Sequence, residues 1–410
     1  MKILILTPTF FPFTGGAERG IYEITRRLAA RHQVLLLTPK PGKKYRQDYS
    51  SLFKEIKSRN TPVLGDDQVF GIKRFRDTWN MIEWPGQGKL GGIIPPFSPS
   101  SVWATVRVAR HFQPDVLCIF YGLPSGLAGL VAKKRLGLPF VLALIGRDIP
   151  GPNFPPLWKK YLAFVARRAD RIIFISKYCR ERLSERKNLA GEIIPFGVDF
   201  ETFKPQPRDN YIRKKFGIPE SRPLLFSVQR LDPWKKTEVL IRTIHFLDKS
   251  GLAVSAIIGG IGPEKKKLEH MIHQLNLENK VFLSGFIPER ELPVYYASAD
   301  IFCFHSTFET FGLVLLEAMA SGKPIVTVRS TAIPELIEDR KTGLLVETES
   351  PQQLAQAIAY LLENQELREK LGQEARSKAL EFSWTKVAQQ YEKVLTEAAK
   401  KLRGVGIKDE

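Results

Sequence analysis

The chain has 410 residues, 43% of them hydrophobic and 26% charged, a balance that excludes a disordered chain and calls for two domains of about 200 residues each. Its 62 Lys and Arg exceed its 43 Asp and Glu, giving a formal net charge of +19, and the excess is one-sided: residues 1–200 hold 32 basic and 15 acidic side chains, residues 201–410 hold 30 and 28. The three cysteines, Cys118, Cys179 and Cys303, are odd in number, far apart and without metal-ligand spacing, so disulfides and a structural metal are not expected and a reducing compartment is.

Lys2–Thr7 is too short for a signal peptide and is followed by Pro8 and Pro12; it is expected to be a first buried strand. The spacing of Ile21, Ile24 and Leu28 predicts a helix over Ala17–Arg31, and Val34–Thr38 a second strand. Residues 40–100 read as irregular, rich in Pro and Gly, with Trp79, Met81, Ile82 and Trp84 close together. Helices are then predicted over Ser101–Phe112, Leu127–Leu136, Pro156–Ala169 and Lys177–Leu183, and strands over Asp115–Phe120, Phe140–Leu144 and Arg171–Ile175. The uncharged run Val116–Ala132 contains Gly122, Pro124, Ser125 and Gly126, so it reads as strand, loop and helix start rather than a membrane span.

A second series follows Ile193–Phe203. Strands are expected over Leu224–Val228, Ala253–Ile258, Val281–Ser284, Ile301–Phe304 and Pro324–Val328. Helices are expected over Thr237–Asp248, Pro263–Leu275, Glu289–Ala297, the stretch after Gly312, and Pro351–Asn364, with a short element at Ile333–Ile337. Trp384–Leu402 is a long terminal helix. Strands alternating with helices in both halves predict two α/β domains with doubly wound parallel sheets.

The most informative stretch is Phe304 to Pro324. Glu309 precedes a helix start at Gly312, and Glu317 lies more than two turns further on. The free N–H groups at Phe311, Gly312 and Leu313 and the positive end of the helix favour a phosphate. Glu309 can accept hydrogen bonds from sugar hydroxyls, and Glu317 from a second pair such as those of a ribose. Arg230 and Lys235 stand at the carboxyl end of a predicted strand, where open α/β sheets bind ligands; two cations there can clamp a pyrophosphate. Gly15-Gly16 precedes the first helix and suits either a close backbone approach to phosphate or an ordinary turn. Gly259 opens a Gly-Gly-Ile-Gly-Pro run that lacks the dinucleotide fingerprint and reads as a pocket-lining turn or a structural one. None of the six His belongs to a metal-ligand set. His305, beside Glu309, is expected to support the site rather than react, and Asp66-Asp67 reads as a surface loop.

With Phe-Gly between Glu309 and Glu317, and Glu-Ala-Met-Ala-Ser-Gly-Lys-Pro at residues 317–324, the stretch resembles the E-x7-E motif of the family 4 retaining glycosyltransferases, which have the two-domain GT-B fold. The resemblance covers nearly the whole chain, most closely from Pro195 to Trp384. It implies two Rossmann-like domains with an interdomain cleft: residues 1–200, joined by the terminal helix 384–410, for the acceptor, and residues 201–383 for the donor. Arg230 to Lys235 is similar to the family's Arg-Leu…Lys-Gly element, with Lys236 in place of Gly, which leaves open whether Lys235 or Lys236 points inward. The resemblance also implies that Gly15 and Gly16 face the donor phosphates and that backbone groups of Phe286 and Ile287 read the base.

The family's His-Gly-x-Asp element is matched by Ile145-Gly146-Arg147-Asp148. Isoleucine replaces the His, and Asp148 becomes the candidate that orients an acceptor hydroxyl or caps the following turn. Arg147 and Tyr121 are further acceptor-side candidates. The implied reaction is metal-independent and retaining. It moves a hexose-type sugar from a nucleotide-diphosphate sugar to a hydroxyl acceptor of a lipid-linked or cell-envelope kind, with no cofactor beyond the donor.

A glycoside hydrolase using Glu309 and Glu317 as an acid/base pair is the alternative enzyme, a nucleotide-sugar epimerase a weaker one, and a non-catalytic basic nucleic-acid-binding protein the alternative of another class. No nucleic-acid motif accompanies the basic residues. The excess in the first half, with the Trp-rich segment at 79–84, therefore points to an anionic membrane surface. The expected location is cytoplasmic, peripheral to the membrane.

Overall fold

The computed structural model describes residues 1–11, 15–40, 70–76, 97–146, 148–149, 154–184, 189–208 and 210–403. The Trp-rich segment at 79–84, Asp66-Asp67 and Arg147 lie outside these residues. The chain divides into two compact units: Met1–Phe196 together with the stretch from Trp384 onward, and Gly197–Ser383. No helix among the described residues is long and apolar enough to cross a membrane.

The first unit contains β1 (Lys2–Leu6), α1 (Gly16–Ala29), β2 (Gln33–Pro39), β3 (Gly71–Phe75), α2 (Pro99–Phe112), β4 (Val116–Phe120), α3 (Gly122–Leu136), β5 (Phe140–Leu144), α4 (Pro156–Ala166), β6 (Arg171–Phe174), α5 (Lys177–Ser184) and β7 (Glu192–Ile193). All strands are parallel, in the order β3-β2-β1-β4-β5-β6-β7. Every residue of β4 and β5 is buried, because helices cover both faces of such a sheet and the central strands need apolar side chains on each. Right-handed crossovers put α1 on one face and α2, α3 and α4 on the other. Accordingly α2 packs on α3 and α3 on α4. The terminal helix, residues Trp384–Arg403, packs on α1, β4 and β5, and its buried Tyr391 stacks on Phe120 with ring centroids 5.9 Å apart.

The second unit repeats the plan. It contains α6 (Tyr211–Lys215), β8 (Leu224–Val228), α7 (Thr237–Lys249), β9 (Ser255–Gly259), α8 (Lys265–Gln274), β10 (Val281–Gly285), α9 (Leu292–Ser298), β11 (Ile301–Phe304), α10 (Leu313–Ala320), β12 (Ile325–Val328), α11 (Ile333–Leu336), β13 (Leu344–Val346), α12 (Pro351–Glu363) and α13 (Gln365–Ala379). The terminal helix is therefore α14. The parallel strands run β10-β9-β8-β11-β12-β13. In this order the direction of winding reverses between β8 and β11, and the carboxyl edge at such a switch point opens a crevice for ligands.

Several elements differ from the sequence reading, each for a local reason. β3 lies inside the stretch read as irregular; it is an edge strand with only half-buried or exposed side chains, so it lacks an apolar run. α3 begins at Gly122 and is interrupted by a non-helical Leu123, where Pro124 and Gly126 mask the pattern. The helix expected from Glu289 divides into a 3-10 turn at Glu289–Glu291 and α9, which carries a proline in its first turn. α6 and β13 are too short to read. α13 escapes notice because its buried stripe is Leu371, Gly372, Ala375 and Ala379. A side chain at Gly372 would collide with the backbone oxygen of Gly322, so α13 approaches α10 through small residues rather than large apolar ones.

One ion pair anchors the amino edge of the second sheet. Arg213 on α6 is fully buried and donates to Asp300 Oδ2 at 2.8 Å, and the same oxygen accepts from the Leu224 backbone N–H at 2.7 Å. Arg213 also donates to the carbonyls of Pro219 and Arg222. Asp300→Ala leaves a buried guanidinium without its counter-charge and should destabilise this unit by about 3–5 kcal/mol. Urea unfolding measures this, and a loss below about 1 kcal/mol, the range of exposed pairs, would contradict the clamp.

Candidate active site at the carboxyl edge of the second sheet

Residues just beyond β8 and β11 meet at the switch point. β8 exits into Gln229 and Arg230, whose loop is laced to the one after β9: Gln229 N donates to Gly259 O at 3.0 Å and Leu231 N to Ile261 O at 3.0 Å. A 3-10 turn, Pro233–Lys235, then delivers Lys235. β11 exits into His305 and Ser306, followed by Glu309. Lys235 Nζ donates to Glu309 Oε2 at 2.6 Å, and both side chains are only 16% exposed. The two loops are thereby joined across 74 residues of sequence.

Lys235, rather than Lys236, is the inward cation. Lys236 takes a left-handed conformation (φ 51°) and pairs with Glu349 at 3.3 Å. That backbone explains why glycine suits the position.

Glu309 is held at several points besides. Its N–H donates to Thr331 Oγ1 at 2.8 Å, that hydroxyl donates to the Glu309 carbonyl at 2.7 Å, and Oε1 accepts from Thr310 N at 3.2 Å. Gly312 caps α10 with φ 99°, a conformation that L side chains rarely adopt and glycine adopts freely. The turn brings Leu313, the first residue of α10, to the end of the Glu309 loop. Arg230 is 42% exposed at the crevice, and its Nε is braced by the buried Asp232 at 2.8 Å. Gly259 ends β9, with Ile287 packed against it so closely that an added Cβ would meet Ile287 Cδ1. Phe286 beside it is half-buried. The structure thus gathers Arg230, Lys235, Gly259, Phe286, Ile287, Glu309, Phe311, Gly312 and Leu313 on the carboxyl edge of one sheet and its loops.

Glu317 lies deeper. It is on α10, 1% exposed, with Oε2 at 3.1 Å from the hydroxyl of the buried Tyr296 on α9; that hydroxyl also lies 3.1 Å from Val314 O. Glu309 and Glu317 thus occupy different surroundings, one beside an ammonium and the other beside a phenol.

His305 is also buried. Gln229 Nε2 donates to Thr237 Oγ1 at 3.0 Å and stands 2.9 Å from His305 Nε2, which accepts in a neutral imidazole. Burial, and then the charge of Lys235, push His305 from the usual 6.5 down to about 3. It can therefore hold Gln229 at the strand exit without adding charge beside Lys235.

In the first unit, Gly15 caps α1 and Gly16 is its first residue. Tyr121, with φ 69°, joins β4 to α3. Asp148 follows β5 and is fully buried; its Oδ2 accepts from Gly122 N at 2.7 Å. Burial raises its carboxyl to about 7, against backbone hydrogen bonds from Gly122, Asp148 and Gly146 that lower it. Asp148 thus ties the β5 exit to the β4 exit, 26 residues away. Sequence reasoning missed Asp232, Tyr296, Thr331 and the Gln229–His305 contact. Only Asp232 and Gln229 carried a signal, as neighbours of Arg230. Among the described residues no group of three or more His, Cys, Asp or Glu could hold a metal ion.

Known proteins share both units. The family model described as Glycosyltransferase Family 4 matches residues 14–202, and Glycosyl transferases group 1 matches residues 209–378. The chain is 30% identical to a GDP-mannose-dependent alpha-(1-6)-phosphatidylinositol monomannoside mannosyltransferase of Mycobacterium tuberculosis, over 62% of this chain and 68% of that one. It is 28% identical to an uncharacterized glycosyltransferase of Methanocaldococcus jannaschii, over 97% and 98%. In fold it is similar to HepE of Anabaena, solved in complex with UDP and glucose, with a TM-score of 0.76 over 97% of this chain and 99% of that one at 24% identity. The architecture is GT-B.

Because folded His305 stays neutral while the unfolded residue titrates near 6.5, the unfolded chain binds the extra proton between about pH 6.5 and 3. Its contribution to stability is present above that window and is lost as pH falls, with a limiting slope of about 1.4 kcal/mol per pH unit. His305→Asn should flatten the acid limb of a stability–pH curve from urea unfolding. An unchanged slope would show that His305 protonates freely in the fold.

Proposed function

The chain belongs to glycosyltransferase family 4, and on that premise we propose that it is a retaining hexosyltransferase using a nucleotide-diphosphate sugar. The second unit holds the donor, and the basic first unit holds a hydroxyl acceptor of a lipid-linked or cell-envelope kind. The observation that carries this reading is the Lys235–Glu309 pair, 2.6 Å across the switch point. It sets a cation and a carboxylate side by side, with the start of α10 next to them. A nucleotide sugar presents complementary groups: a diphosphate for the cation and helix start, and a sugar for the carboxylate. The names of relatives support the same donor class, one being GDP-mannose-dependent and a fold neighbour being solved with UDP and glucose.

In this mechanism the bond between the anomeric carbon and the diphosphate oxygen breaks, and the acceptor oxygen bonds to that carbon on the same face. The acceptor's proton passes to the departing phosphate oxygen. The charge left on the nucleoside diphosphate is met by Arg230, Lys235 and the N–H groups at Phe311, Gly312 and Leu313, so side-chain and backbone donors do the work a metal would otherwise do. Glu309, fixed by Lys235 and Thr331, positions the sugar. Glu317 meets the ribose from the floor of the site. Gly259, Phe286 and Ile287 line the base side. In the first unit Tyr121 and Arg147 contact the acceptor, and Asp148 positions the Tyr121–Gly122 turn. The three buried cysteines, none of them in a disulfide, accord with a reaction on the reducing, cytoplasmic side of the membrane.

A hydrolase would need two carboxyl groups facing one bond, and the separate surroundings of Glu309 and Glu317 favour transfer. Calorimetric titration with UDP, GDP, ADP and their sugar conjugates tests the reading. One nucleotide should bind selectively, about tenfold or more weaker in Glu317→Ala, as for a lost charged hydrogen bond. Glu309→Ala should lose transfer while binding the nucleotide no more weakly than wild type, since Lys235 is then free for the diphosphate. Absence of binding across the panel by folded protein, or equal affinity in Glu317→Ala, would overturn the assignment.

A further inference from the structure

We propose that the outer face of α2, α3 and α4 in the first unit docks on an anionic lipid bilayer. None of these three helices contains an Asp or Glu. The acids between residues 97 and 169 are Asp115, which accepts from the Lys2 backbone, and Asp148, which is buried. The outward side chains are basic: Arg107 and Arg110 on α2, Lys134 and Arg135 on α3, Lys160 on α4 and Arg167 at its end are all exposed. The helices are neighbours in a row, α2 on α3 and α3 on α4, so their outward sides make one continuous surface.

Large apolar side chains stand among the cations. Trp103 is 62% exposed, Leu157 68% and Phe164 44%. They follow helical spacing with the charges: Trp103, Arg107 and Arg110 share one side of α2, and Leu157, Lys160 and Phe164 one side of α4. The Arg107 guanidinium lies 5.0 Å from the Trp103 ring centre and that of Arg168 3.8 Å from Phe164. A bilayer accepts both kinds of group, cations at the lipid phosphates and apolar side chains at the acyl boundary. Nucleic acid takes the cations and can stack on the rings but offers nothing to Leu157. The apolar component therefore selects the membrane over another polyanion. This face is independent of the donor chemistry, so it can stand or fall separately from it.

The test is co-sedimentation of the full chain with vesicles of phosphatidylcholine alone and of phosphatidylcholine mixed with phosphatidylglycerol. Binding to the mixed vesicles and not to the neutral ones is expected. Each basic side chain near the surface contributes about fivefold, so Arg107→Gln with Lys160→Gln should weaken partition about thirtyfold. Leu157→Ser with Phe164→Ser should weaken it about tenfold at unchanged charge. The same charge change at exposed Lys249 and Lys266 in the second unit should have little effect, and unaltered thermal unfolding of the variants shows that they fold. Binding to neither vesicle, or equally to both, overturns the proposal. So does a result in which the apolar substitutions change nothing while a DNA oligonucleotide binds as well as the vesicles, which marks a general polyanion surface.

Discussion

The candidate site depends on the ion pair between Lys235 and Glu309. Glu309 is on a loop and Lys235 ends a single 3-10 turn, and the sheet alone would leave the two segments adjacent but unjoined. The pair closes the gap at 2.6 Å with both side chains mostly covered. Such a contact is stronger than a solvated one, since water screens it less, and it holds only while both partners remain in place. The surroundings meet that condition. Thr331 grips the Glu309 backbone from one side, and neutral His305 holds Gln229 without adding repulsion to Lys235.

The two units solve the same problem differently. In the second, opposite charges join the exits of β8 and β11. In the first, the exits of β4 and β5 are joined by a buried Asp148 carboxyl on a backbone N–H. A carboxyl moved up to about 7 by burial spends much of its time uncharged near neutrality. One carboxyl is thus paired with a cation at the site, and the other is enclosed for support.

The strands were the most legible part of the sequence, because two-sided burial demands unbroken apolar runs such as Val116–Phe120 and Phe140–Leu144. Glu309, Gly312 and Glu317 were legible because they lie on one short segment with a recognisable helix start. The Lys235 or Lys236 choice was not, since it turns on a left-handed backbone at Lys236 that no side-chain pattern reports. Tyr296 was equally hidden, reaching Glu317 from another helix 21 residues earlier. The half-buried or exposed edge strand Gly71–Phe75 and the small-residue helix Gln365–Ala379 escaped for a shared reason: neither presents a row of large apolar side chains.

The most direct test of the central pair is a double-mutant cycle on nucleoside diphosphate affinity, comparing Lys235→Ala, Glu309→Ala and the double variant by calorimetry. If the two side chains act on one another, removing Glu309 frees Lys235 for the diphosphate and tightens binding by a few fold. The same removal should have no effect once Lys235 is gone, giving a coupling of about 0.5–1 kcal/mol, the size of a few-fold change. Equal effects of Glu309→Ala in the two backgrounds would contradict the account, for they would mean that the pair does not organise the donor site.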